Sequence, residues 1–385
     1  MSPKQVRTME QSKTTMAQFE GSKLRLARHY WGKTLGQIAE DIDKSRQYVS
    51  QLETGKAANT VSQDVLERLA YSLNVTTGFF YAPASSALTE DQAHFRSLAS
   101  TKVSTKLKVL ARGTLFDQLA RFIDERVALP EVNFPDFSGA CTTEEIERAA
   151  EKTRHHWGLG LGPIDNMVKV VEHAGALVTF FNDASQEVDA LSIPSVRPVI
   201  VRNDAKESPF RQRFDIAHEM AHLILHEGIV TGDRKTETEA NRLSSAFLLP
   251  RSTFMKIFKT RGRTLDWQCI VDIKMTFGVS KAAVLYRAKV LGLIDERQYK
   301  SGVIFLKNTR QSKREDEDGY VARERAGLLP KSFDVLLKYH GLDFNNVANS
   351  LNVKPELLKE IIPDAVDPKI INNKFSHQRA HLRLV

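Results

Sequence analysis

The sequence predicts an α+β protein that is mostly helical. Three observations predict it. Apolar residues recur at helical spacing near both ends of the chain. Three short apolar runs with strand character fall together between residues 176 and 202. A longer amphipathic segment with two histidines four apart follows those runs directly. The 385 residues therefore divide into a five-helix N-terminal bundle, a central unit with a small sheet, and a helical C-terminal extension. That length suits two or three domains.

Composition sets outer limits. The formal net charge of +8 permits an anionic partner. No apolar run approaches a membrane span, and the N-terminus lacks a signal-peptide core. The two cysteines, Cys141 and Cys269, are far apart and form no metal-ligand pair. Their isolation fits a reducing cytoplasm. No low-complexity stretch or long-period repeat stands out.

Residues 1–20 read as a mobile polar tail and residues 21–82 as the bundle. Thr34 caps a helix over 35–42 whose Ile38, Ala39 and Ile42 face inward. A tight turn at Asp43 and Lys44 follows. Ser45 caps a second helix over 46–53, buried through Val49 and Leu52, and Gly55 ends it. Helix, short turn, helix is the geometry that lays a second helix into the DNA major groove. Its first turns would offer Ser45, Arg46, Gln47, Ser50 and Gln51 to base edges, with Lys44 and Lys56 on phosphates. The arrangement Leu35-x-x-Ile38-Ala39…Ser45-x-x-x-Val49-Ser50-x-x-Glu53-x-Gly55, with Leu66-x-x-Leu69-Ala70-x-x-Leu73-Asn74-Val75, resembles the phage-repressor-like (XRE-type) helix-turn-helix family. Asp43 stands where that family often has Gly, and Asp tolerates the left-handed conformation.

Residues 83–140 read as a helical connector. Ala82-Pro83-Ala84-Ser85-Ser86 is a linker, basic helices run from His94-Phe95-Arg96-Ser97 through Arg126 to Pro130, and 130–139 is turn-rich. A helix over 143–157 is capped by Thr142 or Thr143. The loop Gly158-Leu159-Gly160-Leu161-Gly162-Pro163 lacks the Lys-Ser/Thr ending and preceding strand of a phosphate loop, so it reads as a helix–helix turn. A helix over 164–173 precedes strands at 176–181, 188–193 and 198–202. The last of these, or its neighbour, is the expected edge for an extended substrate.

The next helix carries chemistry. Ser208 is its expected N-cap, Pro209 suits its first position, and Phe210, Phe214, Ala217, Ala221 and Ile224 form its buried stripe up to a stop at Gly228. In His218-Glu219-Met220-Ala221-His222 the histidines share a face and can aim two ring nitrogens at one zinc ion. Glu219, one position round, can take a proton from a water at the open coordination position. Glu237 completes the ligand set. Asn241, four further on, can fix the tautomer of a ligating histidine. Glu239 is the fallback ligand. His226 lies about 12 Å along a straight helix from His218 and reads as a helix-end histidine facing water or the last carbonyls.

From about residue 94 to 294 the chain resembles the ImmA/IrrE family of metallopeptidases. The segments that carry the likeness are Phe95-Arg96-Ser97, Trp157-Gly158-Leu159-Gly160-x-Gly162-Pro163-Ile164, Arg211-x-Arg213-Phe214-x-x-Ala217-His218-Glu219-x-x-His222, Glu237-x-x-Ala240-Asn241…Phe247-Leu248-Leu249-Pro250 and Phe277-Gly278-Val279-Ser280…Arg287…Leu291-Gly292-Leu293-Ile294. The resemblance implies a gluzincin-like fold, with His218, His222 and Glu237 as zinc ligands and Glu219 as general base. It further implies limited proteolysis of a repressor in stress or mobile-element control. Tyr286 and Arg287 are candidates for stabilising the oxyanion, against a core or solvent role.

The peptidase-like unit is thus expected over 141–300 and a helical extension over 301–385. Residues 272–294 and 344–362 each read helix, turn, helix, and read best as small packing units. Residues 311–320, with Lys313-Arg314-Glu315-Asp316-Glu317-Asp318, read as a solvated loop, and the basic end 377–384 as a mobile tail. The expected whole is a cytoplasmic zinc endopeptidase tethered to a reader of a double-stranded DNA operator, acting on a repressor-type protein and able to form a homodimer. The alternative is a transcription factor whose peptidase-like unit only senses a ligand, metal or partner.

Overall fold

The computed structural model describes residues 18–83, 88, 94–95, 102–181, 190–193, 197–203, 208–229 and 231–363. The expected tail up to residue 17, linker residues 84–86, the first residues of the 188–193 strand and the basic end 377–384 lie outside the described residues.

The N-terminal unit packs α1 (Gly21–Trp31), α2 (Leu35–Asp41), α3 (Arg46–Glu53) and α4 (Gln63–Ser72) with 3-10 turns at Ala58–Thr60 and Thr77–Tyr81. The fifth helix expected there is therefore a 3-10 turn. Thr76, Thr77 and Gly78 are weak helix formers, and Phe79 and Phe80 are both buried beside them. Thr34 and Gln37 form a capping box for α2, and the Ser45 hydroxyl accepts the Tyr48 amide at the start of α3. Between the two helices Asp43 takes the left-handed conformation, at φ 53°. Gly21 has no alternative: a Cβ there would lie 2.1 Å from the Leu52 carbonyl oxygen.

His94–Phe95 is a strand, β1, rather than the start of a helix. One long helix, α5 (Val103–Asp124), replaces the expected series of basic helices. It is apolar along much of its length because it lies inside the molecule, packed on α1. Thr142, not Thr143, caps α6 (Thr143–His156), in a capping box with Glu145. The glycine loop after α6 is organised by the fully buried Arg154, which donates to the carbonyls of Gly160, Gly162 and Phe247. Gly158 and Gly160 supply its left-handed positions. The next helix, α7 (Met167–His173), starts later than expected, where the Glu324 carboxylate accepts the amides of Met167 and Val168.

Strands β2 (Leu177–Phe181), β3 (Ala190–Ile193) and β4 (Val199–Asn203) join β1 in a sheet of order β1-β3-β4-β2. Only the β2–β4 pair is parallel. Of the two expected edges this removes the first: β4 is interior, between β2 and its neighbour β3. On its outer side β3 pairs, among the described residues, with the two of β1, His94 opposite Ser192 and Phe95 opposite Leu191.

The remaining elements are α8 (Pro209–Leu225), α9 (Arg234–Leu248), α10 (Arg251–Ile257), a small hairpin of β5 (Thr260–Arg261) and β6 (Thr264–Leu265), α11 (Trp267–Phe277), α12 (Lys281–Val290), α13 (Glu296–Asn308), a 3-10 turn at Asp316–Tyr320, and α14 (Leu328–His340), α15 (Phe344–Ser350) and α16 (Pro355–Ile361). Two hydrophobic cores meet at the sheet. Alternation along its strands sends Val178 and Ile200 into the core around α8, and Leu177, Val199 and Val201 into the other. That second core also takes in α1–α5 and α14–α16, so both ends of the chain build it together. No helix among the described residues is long and apolar enough to cross a membrane.

The charged run at 313–318 is solvated only in part, at Lys313, Arg314 and Asp316. Glu315 and Asp318 are buried, each 2.7 Å from the fully buried Lys274 ammonium, and Glu317 bridges to Lys281 at 2.8 Å. A buried cation must be paired, and this run supplies its partners.

Candidate metal centre

Helix α8 begins with Pro209 at its first position, but Ser208 makes no side-chain cap bond. The helix ends at Leu225, before the expected stop, with His226 leaving it at φ −128°. Asp233 caps α9 through the amides of Lys235 and Thr236, which sets Glu237 in the first turn of a helix packed along α8.

This packing brings together His218, His222 and Glu237, whose ligand atoms all lie within 4.8 Å of one another. The two Nε2 atoms are 3.0 Å apart; His218 Nε2 is 3.2 Å from Glu237 Oε2, and His222 Nε2 is 3.5 Å from Glu237 Oε1. Ligand atoms about 2.0–2.1 Å from a tetrahedral ion stand roughly 3.3 Å apart, so these separations suit a small cation. Both histidines and Glu219 are fully buried.

The proton inventory points the same way. The Asn241 Oδ1 lies 3.2 Å from His218 Nδ1, so that nitrogen carries the hydrogen and Nε2 presents a lone pair. On the other side a carboxylate starts the chain. Glu239 Oε2 lies 3.1 Å from His226 Nε2, and His226 Nδ1 lies 3.0 Å from His222 Nδ1. If His226 donates to Glu239, its Nδ1 accepts from His222, and His222 Nε2 is also left bare. Three acceptors then converge on one point, an arrangement that a cation resolves. Burial lowers the His222 pKa to about 4 against its hydrogen bond with Glu237, which favours the neutral ligand form. Burial alone would raise the Glu237 carboxyl, but once acid protonates His218 and His222 at Nε2 their hydrogen bonds and charge outweigh it and bring it down to about 2.

Asn241 stands where the sequence reading placed it. His226 does not. It is buried rather than turned to water, because the end of α8 lets its ring fold back beside His222. Glu239 is the carboxylate behind His226 and is not part of the converging triad. Both roles were hidden in the spacing of the sequence. The signals were a third histidine in the i, i+4 row and a second acid two residues after Glu237.

Arg287 is fully buried, pairs with both oxygens of Glu147 and donates to the Leu249 carbonyl, so its guanidinium serves the core. Tyr286 is half-buried and hydrogen-bonded with Arg242, the residue after Asn241; burial raises its pKa. Arg213 ties α8 to the fold through Glu324 and the carbonyls of Phe277 and Asp165. In the N-terminal unit, Lys44, Ser45, Arg46, Gln47 and Lys56 are exposed, while Ser50 and Gln51 are half-buried.

A family model described as the IrrE N-terminal-like domain, Peptidase_M78, matches residues 171–289. The matched stretch runs from α7 to α12 and contains the whole triad with His226, Glu239 and Asn241. This part of the chain is similar to a metallopeptidase-type domain. No curated protein matches the chain.

Proposed function

We propose that the chain is a zinc-dependent endopeptidase whose N-terminal unit reads double-stranded DNA, and that it cuts a repressor-type protein near the operator. The observation that carries the peptidase reading is the convergence of the ligand atoms of His218, His222 and Glu237 within 4.8 Å of one another, beside the buried Glu219. Two imidazoles and a carboxylate are a donor set for catalytic zinc. When bound, the ion would polarise the scissile carbonyl and acidify water.

The chain's own residues do the rest. Glu219 takes the proton of the attacking water and returns it to the leaving amine. Asn241 and His226 hold the two imidazoles in the tautomer that leaves Nε2 bare. An extended substrate would pair along the outer side of β3, beside the His94–Phe95 strand. The DNA reading is supported by the exposed Lys44, Ser45, Arg46, Gln47 and Lys56 at the start of α3 and around it, with Ser50 and Gln51 on the same helix. Tethering on an operator would raise the local concentration of peptidase beside a bound repressor.

The test compares new protein termini in cells making the intact chain or Glu219→Gln under several stresses. One new terminus in a repressor, reduced at least about 100-fold by the substitution while zinc and DNA binding persist, is the expected result. Regulation that survives Glu219→Gln, with no terminus dependent on Glu219, would replace the peptidase with a sensor.

A further inference from the structure

The two ends of the chain contain a short repeat that only the structure brings face to face. Leu69-Ala70-Tyr71-Ser72-Leu73-Asn74-Val75-Thr76 corresponds to Val347-Ala348-Asn349-Ser350-Leu351-Asn352-Val353-Lys354. The local structures match step for step. Each segment ends a helix at its serine, α4 or α15. Each puts its asparagine in the left-handed conformation, at φ 53° and 57°. Each then buries its valine and starts a new helical turn two residues later, at Thr77 or Pro355.

These segments pair with each other about a local pseudo-two-fold axis. Val75 and Val353 form an antiparallel bridge. The Thr76 amide donates to the Asn352 carbonyl at 2.9 Å, and the Lys354 amide donates to the Asn74 carbonyl at 3.0 Å. The two bonds are reciprocal: the same group on each copy meets its counterpart on the other. Such an isologous contact is how two identical surfaces meet in a symmetric dimer. It uses backbone groups and a Val–Val pair, and both are present in full on the N-terminal copy alone. A second N-terminal edge, Asn74–Thr76 of another molecule, would satisfy every one of those bonds. One side-chain contact beside the bridge is, by contrast, specific to the C-terminal copy. Lys354 Nζ sits 5.0 Å from the centre of the exposed Tyr71 ring, where a second N-terminal copy would bring Thr76. This contact favours the internal partner, whereas the 3.1 Å bond from Thr76 Oγ1 to the Asn352 carbonyl has its equivalent in Asn74 of a second copy.

We propose that α14–α16 act as an internal stand-in for a second N-terminal unit. They cover a self-complementary pairing edge at Asn74–Thr76, and the edge pairs with the same edge of a second copy of this chain once they leave it. The inference stands on the repeat and the reciprocal bridge, independently of the peptidase and DNA readings. The covered edge lowers the apparent affinity for a second copy by the fraction of time it is open.

The test is sedimentation of the full chain over a concentration series. The wild type should be monomeric. Val353→Lys, which weakens only the internal partner, should dimerise with an apparent dissociation constant lower by about tenfold or more. Val75→Lys/Val353→Lys, which also spoils the edge itself, should be monomeric again. A Val353→Lys chain that stays monomeric, while hydrogen exchange shows Leu351–Lys354 released from Asn74–Thr76, overturns the proposal. So does a wild-type dimer that Val353→Lys leaves unchanged. If Val353→Lys unfolds, the same question is put to Val75→Cys in a Cys141→Ser background, under mild oxidation. Covalent dimers through Cys at position 75, formed at the rate at which exchange shows the edge opening, are expected. Their absence at that rate overturns the proposal as well.

Discussion

The two histidines at the candidate metal centre sit one turn apart on α8, yet they are held in different ways. The His218 ring is steadied by a neutral amide, Asn241, reached from α9. The His222 ring is steadied by a second imidazole, His226, which a carboxylate, Glu239, holds in turn. The first arrangement is one bond deep. The second is two bonds deep and ends in a formal charge. A charged acceptor makes the stronger hydrogen bond, and both of its links are buried. The contrast teaches that equal spacing in sequence does not give equal support in space: what lies behind each ligand depends on where the helix ends and which neighbour it meets.

Removing the two supports one at a time should break the symmetry in opposite degrees. His226→Ala leaves His222 Nδ1 facing a cavity and frees the ring to turn or change tautomer. Zinc affinity, measured by competition with a chelating dye, should fall about 30- to 100-fold. Asn241→Ala removes a single neutral bond and should cost nearer tenfold. Equal losses would mean that His226 only fills space. His226→Leu, which restores the volume without the nitrogen, separates that case: its affinity should stay as low as that of His226→Ala.

Acid sharpens the same contrast. Burial lowers the His222 pKa to about 4 in the fold, against about 6.5 for an unfolded histidine. A folded pKa below the unfolded one means that the unfolded chain takes up the proton first. The stability linked to His222 is therefore fully present above about pH 6.5 and is lost as pH falls toward 4. Glu237, lowered to about 2, has its own window beneath that, from about 4.5 downward. The metal-free protein should lose on the order of 3 kcal/mol through the upper window, read from thermal or denaturant midpoints at pH 7, 6, 5 and 4. His222→Gln should flatten this slope. A slope that persists in His222→Gln would assign the loss to other groups.

Much of this site was legible because its residues sit close together in the chain. Four-residue spacing placed His218 with His222 and Glu237 with Asn241, and the core around α8 draws on nearly continuous sequence from Ile146 to Ala326. What escaped the sequence depended on distance. The end of α8 at Leu225 decides where His226 points, and no residue there announces it. The run at 313–318 looks solvated until Lys274, some forty residues earlier, is seen to need its carboxylates. The other core packs residues before 128 and the strand residues Leu177, Val199 and Val201 against residues after 328, partners too far apart in the chain for local patterning to join. Asp43 is the opposite case. Its left-handed turn was readable because the tolerance belongs to the residue itself.

The smallest expected effect is the most diagnostic of how the deeper support works. Glu239→Gln keeps an acceptor oxygen for His226 Nε2 and removes the charge. If the carboxylate acts by fixing which nitrogen of His226 carries the hydrogen, the glutamine retains most of that function. Zinc affinity should then fall only about two- to fivefold, the difference between a charge-assisted and a neutral hydrogen bond. Glu239→Ala, which leaves the buried Nε2–H without this acceptor, should approach the loss seen in His226→Ala. If Glu239→Gln is as damaging as Glu239→Ala, the charge itself is what reaches the ion through His226 and His222. The two sides of the centre would then differ in electrostatics and not only in depth.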